Sequence, residues 1–219
     1  PCGKRIIIEM FSLGEIESNC KKAARGAGLS WGIAEECGLI ARHLSEVGLP
    51  GADSVYFNLD FIHQEKGNFL EEKFDEREPP SDPVPGVLLG VMVLDKLNEF
   101  TGKEIKFQFS VIGPLTLFGA FLRLTYQRYS ISVSWSDFRI SINHLGFSLD
   151  GFNKNPRMTQ GVNFRICLTD DIIVPAVRQK KRLPVIKWEE LNLLTQKTYV
   201  PASEQSRLFG AGAKGSDND

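Results

Sequence analysis

Between residues 13 and 47, apolar side chains recur at helical spacing. Leu13, Ile16, Cys20, Ala23, Ala24 and Ala27 fall toward one side of a first segment. Ser12 and Glu15 form an S-x-x-E capping box in front of it, and Gly26 and Gly28 end it. Ser30 then caps a second segment whose apolar positions are Ile33, Cys37, Ile40, Ala41, Leu44 and Val47, an amphipathic helical series. Gly48 terminates it, with Pro50 beyond. The pattern predicts a helical hairpin joined by "RGAGLSWG", Arg25 to Gly32. A short third helix is expected over Asp53 to Ile62. "GVLLGVMVLDKLNEF", residues 86–100, fits either a helix or a buried strand, and its length favours a helix.

The period then changes from 3.6 to 2. Ile105, Phe107, Phe109 and Val111 alternate with Lys106, Gln108 and Ser110. Ile131, Val133 and Trp135 alternate with serines, and Phe138, Ile140 and Ile142 follow a Ser136-Asp137 hairpin turn. Phe164, Ile166 and Leu168 mark another strand. One polar face per strand predicts antiparallel pairing. "KWEELNLLTQKTYV", residues 187–200, returns to helix. Helices, then strands, then a helix predict an α+β fold: an N-terminal helical hairpin packed with a mostly antiparallel sheet, a C-terminal helix and an ordered glycine-rich tail. Residues 10–219 are expected to form one domain, with a proline-rich surface loop near 71–86, "EEKFDEREPPSDPVPG". Residues 1–9 precede the first helix signals and read as a fragment edge or upstream extension.

Composition narrows the function. The chain has 219 residues, 42% hydrophobic and 24% charged, with a formal net charge of -1. That balance gives no electrostatic pull toward nucleic acid or anionic membrane. The longest apolar run, Val87 to Leu94, is shorter than the roughly 18 residues of a membrane helix. Cys2, Cys20, Cys37 and Cys167 match no zinc or CxxC spacing and suit isolated reduced thiols in a cytoplasmic protein. His43, His63 and His144 share no ligand spacing, so no metal is expected from them. There is no dinucleotide or Walker motif, so no cofactor is expected, and the basic run Arg178 to Arg182 reads as a solvated loop.

Candidate chemistry concentrates at the two glycine-rich stretches. The helix start at Ser30 offers free N–H groups, with Arg25 just upstream as an anion anchor. Trp31 is a packing anchor or a lid. Glu35 and Glu36 complement the helix dipole or act as a general base, and Cys37 falls on the apolar face as a buried inert thiol. The stretches "LGEIESNCKKAARGAGLSWGIAEECG", Leu13 to Gly38, and "TYVPASEQSRLFGAGAKGSDND", Thr198 to Asp219, resemble the uncharacterised bacterial family DUF3726. Its members share "KAARGAG-x-x-WG-x-AEE" and end near "YVP-x-S-x-x-SR-x-x-GAGA-x-x-x-DND". The resemblance implies a bacterial cytosolic protein and carries no activity. It also implies that the tail is a family signature, expected to fold back onto the hairpin.

The expectation that follows is a site between hairpin and tail for a small polar or acidic metabolite. Glu35 and Glu36 are its candidate catalytic groups. Arg25, Gly28, Ser30, Trp31, Ser203, Ser206, Arg207, Asp217 and Asp219 are its candidate binding groups. Hydrolysis, isomerisation or elimination would suit such a site. The alternative is a non-catalytic accessory or dimerising protein, a homo-oligomer included, in which both glycine-rich motifs are packing devices.

Overall fold

The computed structural model describes residues 10–65, 80, 82–143, 146–151, 155–170 and 183–199. Expectations for residues 1–9, most of the proline-rich stretch, His144, the 178–182 basic run and the 200–219 tail lie outside them. So do Ser203, Ser206, Arg207, Asp217 and Asp219.

In chain order the elements are β1 (Met10–Phe11), α1 (Leu13–Gly26), α2 (Trp31–Glu46), α3 (Gly51–Gln64), β2 (Val84–Pro85), α4 (Gly86–Asp95), α5 (Leu97–Phe100) and β3 (Glu104–Ile112). Then come α6 (Leu115–Phe121), a 3-10 turn (Leu122–Gln127), β4 (Tyr129–Trp135), β5 (Phe138–Asn143), β6 (Gly146–Asp150), β7 (Met158–Leu168), β8 (Leu183–Pro184) and α7 (Trp188–Gln196). The α+β architecture, the hairpin and the C-terminal helix are as the periodicity predicts. The Ser12–Glu15 capping box forms in both directions, at 2.8 and 3.3 Å. No helix among the described residues is long and apolar enough to cross a membrane.

The main sheet runs in the order β2-β3-β7-β4-β5-β6, antiparallel throughout except for β2 on β3. Alternate residues of β3, β4, β5 and β7 are buried, among them Val111, Val133, Ile140 and Phe164. The serines of β4 take the other face. Helix α6 lies on the buried face, with Phe121 5.5 Å from Phe164 and Phe118 6.2 Å from Phe147 between ring centroids. Helix α2 packs on α6, α1 on α2, and α7 on α1, and the buried apolar residues of all these layers form one cluster.

Three details depart from the sequence reading. Val84 and Pro85, placed in a surface loop, form an edge strand beside Val111 and Ile112. Proline is accepted there because an edge residue need not donate to a neighbour. Leu168, expected to face inward, is 65% exposed at the last position of β7. Every residue of α6 is buried, which erases the amphipathic period that reveals a helix.

Candidate functional site

The hairpin turn gathers five of the candidate residues. Gly28 adopts φ 102, a left-handed value that suits glycine, and the chain turns there into the Ser30 cap of α2. Ser30 Oγ accepts from the Ile33 amide at 3.5 Å. Arg25 donates to the Leu29 carbonyl, and its guanidinium carbon lies 4.6 Å from the centre of the Trp31 ring. Trp31 is 64% exposed, so it covers no core, and Lys21 Nζ stands 5.9 Å from the same ring. Glu35 accepts from Lys21 at 2.6 Å.

Glu36, one residue on, is rotated by about 100° around the helix and pairs with Arg123 at 2.8 and 3.0 Å. The two carboxylates therefore face different cations on different elements. Neither lies in the first turn of α2. Cys37 is buried, and desolvation, helped by the Glu36 charge, pushes its thiol up to about 12. Its thiolate is not populated near neutrality. His43 is half-buried against Gly119 of α6, and burial lowers its pKa.

A groove of about 540 Å³ opens between α1 and α7. Glu15, Ser18, Asn19 and Lys22 line one wall, and Trp188, Asn192 and Gln196 line the other. The α7 positions recur at i, i+4 and i+8, which sets them in one row. Close approach of the helices is permitted by Gly26, where an added Cβ would collide with the Leu194 carbonyl oxygen. At the groove floor, Thr195 Oγ1 donates to Asn19 Oδ1 at 3.0 Å, and Asn19 Nδ2 donates to Asn192 Oδ1 at 3.0 Å. At one end Trp188 stacks on Phe11, centroids 3.6 Å apart and 16° from parallel. At the other end lies Tyr199, 60% exposed. Among the described residues, the side chains of Ser18, Lys22 and Gln196 have no hydrogen-bond partner.

Sequence reasoning missed this groove. Its polar residues occupy the outer faces of two amphipathic helices far apart in the chain, where solvent is the default reading. The detectable signal was the pairing of Ser18 with Lys22 and of Asn192 with Gln196, each at i, i+4.

A second polar cluster fastens α7 to α3. Asp53 is buried and accepts the Ile186 and Lys187 amides at 3.0 and 2.8 Å. Burial raises its pKa, against the pull of those two amides. Lys187 pairs with Glu190 at 2.7 Å, and Asp60 with Arg157 at 2.6 Å. These charges are mutually satisfied, which suits a clamp rather than a reaction centre. No group of three His, Cys, Asp or Glu side chains among the described residues is placed to hold a metal ion.

Residues 11–68 match the model of a family described as a protein of unknown function, DUF3726. The match runs through α1, α2 and α3 and so contains the first of the two stretches that carry the resemblance, while the second, Thr198 to Asp219, lies outside it. The description assigns no activity. The chain matches no curated protein and no solved structure.

Proposed function

We propose that this chain binds a small polar metabolite in the α1/α7 groove. The observation that carries the reading is the set of hydrogen-bonding side chains with no partner among the described residues, Ser18, Lys22 and Gln196, converging on one concave surface with aromatic ends. Sites of this kind combine an apolar lining with a few placed polar groups. The groove is flanked by the first helix of the hairpin and reaches Tyr199, from which the sequence continues into the glycine-rich stretch. A catalytic part for Glu35 or Glu36 would require the Lys21 or Arg123 pair to open, so the reading is one of binding.

The test is thermal melting of the full chain against amino acids, organic acids and sugar phosphates. A compound of these classes should raise the melting temperature of the wild type and not of Ser18→Trp, which fills the groove from an exposed position. If no compound raises it, the reading is lost.

A second reading, an accessory or self-associating protein, is favoured by Trp31. An exposed tryptophan stacked with arginine combines the residue types that anchor protein interfaces. Light scattering over a concentration series, on wild type and Trp31→Ala, decides it: a mass that rises with concentration only in the wild type supports self-association.

A further inference from the structure

We infer that the ligand of the α1/α7 groove is a small carboxylic acid, held by Lys22 and the side-chain amide of Asn192 against an apolar body that meets Trp188 and Tyr199. The inference rests on the groove reading above and deepens it.

The hydrogen bonds of the floor have a direction. The Thr195 hydroxyl donates to Asn19 Oδ1, so the amide of Asn19 turns its Nδ2 toward Asn192. Asn192 spends its carbonyl oxygen on that donor. What remains of this groove-lining residue is Nδ2, a donor with no partner among the described residues. Lys22, one turn beyond Ser18 on the facing wall, carries only donors and a positive charge. Glu15 also lines the groove, but its carboxylate is engaged by the Ser12 amide at 2.8 Å, so the two donors, one of them cationic, call for an acceptor that bears a negative charge and has two oxygens.

A carboxylate meets that description. A phosphate dianion is ordinarily met by more donors than these, by arginines or by a helix start. Arg25, the next cation along α1, is already engaged by the Leu29 carbonyl and the Trp31 ring. The rest of the ligand meets indole and phenol rings, which favour a compact apolar or aromatic body.

The experiment is calorimetric titration of the full chain with three matched acid and amide pairs. They are phenylacetate and phenylacetamide, isovalerate and isovaleramide, and malate and malamide, with inorganic phosphate as a further arm. At least one acid should bind, and its amide should bind about tenfold more weakly or worse, the loss of one charge-assisted hydrogen bond. Lys22→Met and Asn192→Asp should each weaken the acid by a similar factor. Asn192→Asp still accepts from Asn19, so the floor is kept while the outward donor becomes an acceptor. In the unaltered protein, the side-chain amide resonances of Asn192 should move on adding the acid and stay still on adding phosphate.

If an amide binds as well as its acid, or phosphate displaces both, the carboxylate assignment is overturned and the groove remains a polar binding site. Silence from every acid overturns the assignment as well. If the wider metabolite panel is also silent, the groove reading falls with it.

Discussion

At the scale of single residues, Asn58 joins three helices, α3, α4 and α6. It is buried, and its side chain touches three elements. Nδ2 donates to the Ser54 carbonyl at 2.9 Å and to Thr116 Oγ1 at 3.4 Å, while Oδ1 accepts the Val87 amide at 3.1 Å. It thus satisfies an amide at the start of α4, a helix with no side-chain cap from its own N-cap residue. Gly113 adopts φ 54 beside it, and a Cβ there would strike Asn58 Nδ2. Asn58→Ala leaves the Val87 amide and the Thr116 hydroxyl short of a partner. The expected cost is about 1–3 kcal/mol in a urea-unfolding measurement. A change within a few tenths of a kcal/mol of zero would show that water replaces the side chain. Nothing in the sequence around Asn58 separates it from an exposed asparagine. Its value comes from α4 and α6, which arrive later in the chain.

At the scale of elements, α1 and α7 start in opposite ways, and the difference explains what was legible. The α1 cap is local: Ser12 and Glu15 are three positions apart, so the motif is visible in four letters. Ser12→Ala should cost about 0.5–2 kcal/mol. The amides before α7 are met by Asp53, 133 and 134 positions away, which no local pattern displays. The two helices predict different responses to substitution. Asp53→Ala leaves two amides unsatisfied and should cost more than Ser12→Ala. Asp53→Asn keeps an oxygen for both amides and should cost little. Urea-unfolding midpoints of the three variants rank them. An Asp53→Asn variant as damaged as Asp53→Ala would mean that the charge, not the oxygen, holds α7. The same contrast runs through the sheet. Strands β3, β4, β5 and β7 alternate and are readable, whereas β2 lies in a run of prolines and α6 has no polar face to mark it.

At the scale of the whole molecule, periodicity marked the long helices and the strands β3, β4, β5 and β7 but could not say which outer faces meet. Arg25, Trp31 and Glu35 are sequence neighbours and do assemble. The α1/α7 groove joins residues more than 160 positions apart and was invisible for that reason. The same long-range packing buries His43 and Asp53 and sets how stability depends on pH below neutrality. His43 is pressed against α6, facing the Gly119 carbonyl with Glu46, Arg42 and Arg123 nearby, and burial lowers its pKa below the ordinary 6.5. Its folded form binds protons less readily than the unfolded chain. Its contribution is therefore present above pH 6.5 and is lost as pH falls toward the lower folded value. Asp53 has the opposite sign. Burial raises its pKa above the ordinary 3.8, so its contribution is present below 3.8 and is lost as pH rises through the raised value. On acidification from neutrality, the folded state loses the His43 contribution while it regains that of Asp53. Urea midpoints measured across this range should separate the two groups. His43→Gln, which can still donate to Gly119, should flatten the loss below pH 6.5, and Asp53→Asn should flatten the gain at lower pH. A His43→Gln curve parallel to the wild type would mean that the imidazole is as free to take up a proton in the folded chain as in the unfolded one, and that α2 does not bury it against α6.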